Sequence, residues 1–269
     1  MAASAQSHQW SSSDAENLVR QVIKAVMRLA GVRIDRAAFL RNQLKSHCPE
    51  EQVQAAVDTK LADAGVSDEV IDELANSIIK SHVMRASGTS FVAGLPGGIA
   101  MAITIPTDLS QLMWHAIVVA QKLAYLYGWP DLQLEDGVDE ETEMRILMLI
   151  GSMYGIEGSN RLLAEIASRF ANEVARTLPK QALTKTAYYP IIKEALKWFG
   201  IKLTKKTFAE GISKVVPIVG GGVSASVTAL TLRGMSYRLK NHLRTLEYAK
   251  PTQKDLSPQQ DPEQQPSAD

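Results

Sequence analysis

Apolar residues recur along this chain three and four positions apart, and that helical period, interrupted by capping residues, is the strongest constraint on its fold. Ser13 with Glu16 forms a capping box, after which Leu18, Val22, Ile23, Val26 and Leu29 share one helical face until Gly31. A second helix is predicted over 35–47, with Phe39, Leu40 and Leu44 inward. Pro49 suits the first position of a third, which runs to about Asp63 and stops at Gly65. Ser67 caps a fourth, with a stripe of Val70, Ile71, Leu74, Ile78 and Ile79. Asp108 with Gln111 opens a helix to Tyr127, stopped by Gly128 ahead of Trp129-Pro130. Further helices are expected near 140–154, 159–177, 190–199 and 202–215, and from Val223 to Tyr248. Period-two alternation is nearly absent; only Lys214–Val219 hints at a strand. The expectation is an all-α, multi-helix single domain over 13–249, with amphipathic helices in 13–86 and an apolar helix core in 87–249. Residues 1–12 and 250–269 are expected to be disordered, the tail carrying four prolines in its twenty residues.

Charge narrows the function classes. Lys and Arg total 29, as do Asp and Glu, so the whole molecule exerts no general attraction for nucleic acid. The balance is uneven along the chain. Residues 131–144 hold Asp131, Glu135, Asp136, Asp139, Glu140, Glu141 and Glu143 with no base, while 201–250 are predominantly basic. Cys48 is the lone cysteine, which excludes an intrachain disulfide. With no signal-peptide pattern at the start, a cytoplasmic location is expected.

Two uncharged runs stand apart, residues 86–107 and 215–232. Gly97–Thr104 and Gly221–Thr228 echo each other, with both glycines and the threonine identical. Gly94, Gly98 and Ala102 in one, and Gly221, Ala225 and Ala229 in the other, place small side chains every fourth position, the spacing that lets two helix backbones approach closely. Each run is long enough to span a bilayer as a helix, yet each contains proline, several glycines and several hydroxyl residues. Buried core helices and membrane-inserted segments both fit.

The run Gly94-Leu-Pro-Gly-Gly98, then Ile105-Pro-Thr-Asp-Leu109, then Lys122-Leu-Ala-Tyr-Leu-Tyr-Gly-Trp129 resembles the bacterial EcsC family. So do Val216-Pro-Ile-Val-Gly-Gly-Gly222 ahead of a basic helix, and Cys48-Pro-Glu-Glu51 and Ala64-Gly-Val66 among the front helices. The likeness covers roughly residues 15–248, with Pro106, Asp108, Tyr127 and Gly128 as its motif residues. The same proline–aspartate and tyrosine–glycine pairs resemble YcjF-type membrane domains that follow Era-like GTPase domains, although no GTPase domain precedes them in this sequence. The EcsC resemblance implies a helical, membrane-associated bacterial protein encoded alongside transporter or secretion functions, and implies no reaction.

Sites for chemistry are sparse. Gly220-Gly-Gly-Val-Ser-Ala225 fits G-x-G-x-x-A, but Pro217 interrupts the required strand, and the first acid downstream is Glu247 inside a basic helical stretch. The glycines at 88, 94, 97 and 98 lack the lysine and hydroxyl of a phosphate-binding loop. His8, His47, His82, His115 and His242 never fall three or four apart, so a zinc site would need distant segments. His115 shares a narrow polar helix side with Gln111 and Lys122, as a satisfied polar residue or a proton-handling one. The acidic stretch lacks the alternation of a calcium loop. No catalytic, cofactor or metal residue is therefore assigned.

From Val223 to Tyr248, Leu232, Met235, Leu239, Leu243 and Leu246 form one face, flanked by Arg233, Tyr237, Lys240 and Arg244. A basic, aromatic-edged helix suits an anionic lipid surface, and suits equally the protein's own acidic segment. The reading that follows is a non-catalytic accessory or interaction protein, peripheral at the inner face of the cell membrane, whose partner is anionic lipid or a membrane protein. Two alternatives stay open: a soluble helical protein holding an apolar ligand or lipid between its helices, and an enzyme of unassigned chemistry. Because no glycine-rich loop here has a nucleotide's companions, millimolar NAD(P), ATP or GTP should leave the melting temperature unchanged. A rise with any of them, read by scanning fluorimetry, shows that a phosphate site was overlooked.

Overall fold

A helix that presents apolar side chains on every face must be surrounded, and the stretch Leu112–Leu126 is of that kind. The computed structural model describes residues 21, 23–87, 107–132, 140–170 and 221–252, and every regular element among them is helical. In chain order these are α1 (Arg36–Leu44), α2 (Glu50–Asp58), α3 (Asp68–Ser87), α4 (Thr107–Leu126), α5 (Glu140–Met153), α6 (Glu157–Phe170) and α7 (Gly221–Leu243), then a 3₁₀ turn (Glu247–Ala249). The all-α class is what the apolar period requires. The Ser13–Glu16 box, the run 88–106, the helices expected in 190–215 and the tail beyond 252 lie outside the described residues.

α4 is the centre. From Leu112 to Leu132 only Trp114, Lys122 and Asp131 retain partial exposure. α3 and α7 pack on α4 and on each other, α5 closes a further side, and α1 reaches α4 from the α1–α2 pair. α5 and α6 form a hairpin against α7, where Arg238 Nη1 donates to the Met153 carbonyl at 2.7 Å and so caps α5. Three polar groups of α4 are directed into the connection before α1. Trp114 donates to the Ala30 carbonyl at 3.1 Å, Gln121 to Val32 at 2.8 Å and the Tyr125 hydroxyl to Ile34 at 3.3 Å. The Gln121 bond satisfies a carbonyl, that of Val32, which would otherwise be buried against the helix without a donor.

Local signals place most helix ends. Asp35 accepts from the Ala38 amide as the N-cap of α1, and Ser67 from Val70 ahead of α3. Gly128 takes φ +85° after α4, and an added Cβ would collide with the Tyr248 carbonyl, so only glycine fits there. Three expected ends are corrected, the first that of α1, which stops at Leu44 rather than at 47. α2 stops at Asp58 rather than near Asp63, because the buried Arg36 guanidinium draws in the carbonyls of Ala56, Val57 and Thr59 at 2.7–3.4 Å, together with that of Trp129 at 3.1 Å. The last helix stops at Leu243 rather than Tyr248. The chain then turns, so that the Tyr248 ring meets Trp129 at 5.1 Å between centroids.

Arg36→Met keeps an unbranched apolar stem but removes the guanidinium donors from four carbonyls. The expected cost is about 3 kcal/mol or more, because buried acceptors left without donors lose their full solvation. Urea denaturation checks it; an unchanged midpoint means that water serves those carbonyls as well.

Candidate functional site

Helix α3 has two working faces. Ile71, Leu74, Ala75, Ile78 and Ile79 are buried, while the neighbouring rows turn toward α7 and solvent. Between α3 and α7 lies an open groove of about 590 Å³, lined by Glu73, Asn76, Ser77, Ile79, Lys80, Val83 and Met84 from α3 and by Arg233 and Tyr237 from α7. Its chemistry is divided. Ile79, Val83 and Met84 are apolar; Lys80 and Arg233 bring positive charge, with Glu73 as the one acid. The Arg233 guanidinium carbon stands 5.8 Å from the Tyr237 ring centroid, a cation–π contact that holds the charge at the rim. Met84 (65% exposed) and Leu230 (66%) are the exposed large apolar side chains among the described residues, and Leu230 lies one helical turn from Arg233.

The groove ends where Asp72 ties three helices together. Its Oδ1 accepts from the Tyr127 hydroxyl at 2.8 Å, and its Oδ2 meets Arg244 Nη1 at 3.1 Å and Lys240 Nζ at 3.3 Å. Lys240 also donates to Asn76 Oδ1 at 2.9 Å. Burial and the Asp72 carboxylate push the Tyr127 phenol well above the usual tyrosine range. This junction corrects the surface placement of one of the four basic-helix residues, Lys240. Lys240 is 5% exposed and turned onto Asp72, which takes it away from a lipid surface, whereas Arg244 meets the same carboxylate with its side chain 55% exposed; Arg233 and Tyr237 border the groove. The reason is electrostatic: a lysine turned inward by its place on α7 needs a carboxylate, and Asp72 supplies one from α3 rather than from the 131–144 stretch. Within that stretch, Glu143 is buried and meets Lys24 at 3.6 Å.

The other sequence-assigned residues divide by position. Ala229 is buried on α7; Gly221 and Ala225 lie in the same helix, with side-chain surroundings outside the described residues, as are Gly94, Gly98, Ala102 and Pro106. Asp108 falls in the first turn of α4 rather than at its cap, and Tyr127 and Gly128 serve the Asp72 and Tyr248 contacts.

On its α4 side, α3 carries a cluster that sequence spacing did not bring together. His82 Nδ1 lies 3.0 Å from His115 Nδ1, and Lys122 Nζ lies 3.1 Å from His82 Nε2. Trp114 stands edge-on to His115 with centroids 5.0 Å apart. The two imidazoles are 2% and 1% exposed. Burial first, then the charges of Lys122, His115 and Arg85, bring His82 down to about 3; burial, Arg85 and Lys122 bring His115 down to about 4. Both are neutral at physiological pH. No helix among the described residues is long and apolar enough to cross a membrane, and no group of three or more His, Cys, Asp or Glu side chains there has metal-binding geometry.

No family model matches the chain, and comparisons with curated proteins and with solved structures give no match.

Sequence reasoning missed Asp72, Lys80 and the histidine pair. A signal existed: Asp72, Asn76 and Lys80 recur every fourth residue, as do Arg233 and Tyr237, but period alone does not say which polar rows face each other.

The histidine pair makes stability depend on acidity. Each ring has a folded pKa below its unfolded value near 6.5, so the unfolded chain takes up protons that the fold excludes. The stabilisation is complete above about pH 6.5 and declines as pH falls toward 4 and 3. By about pH 5 the loss should reach about 2 kcal/mol per histidine. Urea midpoints measured across that window should fall with acidity, and His82→Gln with His115→Gln should flatten the slope. An equal slope in the double variant places the titration elsewhere.

Proposed function

We propose that the chain is a membrane-associated binding protein, acting without catalysis at the cytoplasmic membrane face, whose α3–α7 groove seats an anionic lipid. One observation carries the reading: apolar Ile79, Val83 and Met84 lie beside two cations, Lys80 and Arg233, in an open groove flanked by exposed Met84 and Leu230. An amphiphile with a negative headgroup needs that division, with apolar surface for the chain and fixed positive charge for the head. Tyr237 supports Arg233 from below and presents an amphipathic ring at the rim, where such rings favour the headgroup level. The EcsC-like motifs support the same placement, and an accessory role beside a transporter rests on that resemblance alone.

The groove also suits a free amphiphile carried in solution. Vesicle sedimentation separates the two. The protein should pellet with phosphatidylglycerol-containing vesicles and far less with phosphatidylcholine. Lys80→Gln with Arg233→Gln should weaken that binding about 30-fold, at about 1 kcal/mol per basic residue near a surface. Raising salt from 0.1 to 1 M, which shortens the Debye length from about 10 to about 3 Å, should release much of the bound fraction. Folded protein that stays in the supernatant with every vesicle overturns the membrane reading, and co-purified lipid identified by mass spectrometry would then favour the soluble carrier.

A further inference from the structure

Helices α3 and α7 run antiparallel, and contacts at the Asp72 end set their register. Asp72 meets Lys240 at 3.3 Å and Arg244 at 3.1 Å, and Lys240 reaches Asn76 at 2.9 Å. Carried along both axes, that register brings Ser77 level with Tyr237, Lys80 with Arg233 and Met84 with Leu230. On each helix the three positions follow at spacings of three and four, so each triplet forms one row. Ser77, Lys80, Met84, Arg233 and Tyr237 line the groove, and Leu230 continues the α7 row outward. The rows are ordered alike. The outermost rung, Met84 with Leu230, is apolar and mostly exposed; the next, Lys80 with Arg233, is cationic; the innermost is a hydroxyl and an aromatic ring.

Charge is graded in the same sense. The acids of α3, Asp68, Glu69, Asp72 and Glu73, lie in its first two turns, whereas Asn76–Ser87 holds Lys80 and Arg85 and no acid. α7 contains no acid. α4 runs antiparallel to α3, and Asp108 in its first turn is the one acid that these three helices place toward the outer end.

A bilayer leaflet presents a matching order along its normal: hydrocarbon, a headgroup layer of roughly 5–8 Å, then water. Successive rungs stand about 5 Å apart at the helical rise, so an apolar rung at the hydrocarbon edge puts both cations among the phosphates. We propose that the α3–α7 pair meets an anionic bilayer end-on. Met84 and Leu230 enter the hydrocarbon edge, Lys80, Arg85 and Arg233 lie at the phosphates, and the Asp72 junction faces water. This orientation rests on the membrane reading above and settles which way the groove points. A groove laid flat would bring all three rungs to one depth and press Glu73 and Asn76 onto the anionic surface, where a carboxylate is repelled. End-on docking keeps both clear, and the Tyr237 ring, 5.8 Å from the Arg233 guanidinium carbon, supports that cation from the water side.

Depth-dependent quenching on the full chain tests the orientation. A nitrobenzoxadiazole label is placed at Met84→Cys, Leu230→Cys or Ser77→Cys, or at Glu247→Cys beyond the far end of α7, each in a Cys48→Ser parent that melts like the native protein. On phosphatidylglycerol vesicles, labels at 84 and 230 should be quenched several-fold by lipids bearing a nitroxide high on the acyl chain. The label at 77 should respond to a headgroup nitroxide alone, and that at 247 to neither. Met84→Glu with Leu230→Glu should weaken vesicle binding at least about tenfold, since two apolar side chains lose their burial. Equal acyl-chain quenching at 77 and 84, quenching at 247 alone, or undiminished binding of the folded double variant overturns the end-on orientation. Pelleting without quenching at 84 or 230 overturns it too and leaves the membrane reading standing, whereas folded protein that never pellets removes both.

Discussion

A helix with almost no solvent face organises this protein. α4 is buried from Leu112 onward apart from the edges at Trp114 and Lys122, so neighbours must cover it along its whole length. α3, α7, α5 and α1 supply that cover. Burial of apolar area is non-directional and by itself would accept many arrangements of four neighbours. The polar groups that α4 carries into the interior remove that freedom, since each buried donor or acceptor must find a partner in one place. Trp114, Gln121 and Tyr125 choose the carbonyls of Ala30, Val32 and Ile34, and His115 and Lys122 choose His82. Apolar residues make the helix central, and polar ones set which neighbour lies on which side.

The α3–α7 pair shows the same division between cohesion and specificity. Leu232, Met235, Leu239 and Leu243 bury one stripe of α7, and that stripe alone permits sliding along α3. Asp72 fixes the register by accepting from α4 through Tyr127 and from α7 through Lys240 and Arg244. A buried lysine without its carboxylate would be strongly unfavourable, so a shift by one turn is penalised well beyond the lost apolar contact. The register leaves Lys80 and Arg233 on opposite banks of the groove, and this makes the groove bipolar rather than merely apolar. Of the four basic-helix groups, Lys240 is spent on the fold, and Arg233 with Tyr237 borders the groove.

Much of the fold was legible because helix ends are local. Asp35 and Ser67 cap from within three residues, Gly128 takes a positive φ that glycine favours, and the α7 stripe follows from period. The site was less legible because its parts come from different elements. Arg233 and Tyr237 were visible as a basic, aromatic edge, but Lys80 and Met84 belong to α3 and gave no sign of their partner. The histidines show the limit most clearly: His82 and His115 are thirty-three positions apart, and their hydrogen bond exists only because α3 and α4 run side by side.

Taken alone, the sequence determined that this chain is helical, where most of its helices begin, and which stripe each buries. These follow from interactions spanning four residues or fewer, which any window of sequence contains. Tertiary structure alone decided that α2 stops at Asp58, that Lys240 turns inward to Asp72, that Lys80 meets Arg233 across a groove, and that Lys122, His82 and His115 form one chain. Each of these is a polar group answering another from a distant element. Such pairs are selected by the cost of leaving a buried charge or hydrogen-bonding group unanswered, and that cost exists only once packing has removed the water.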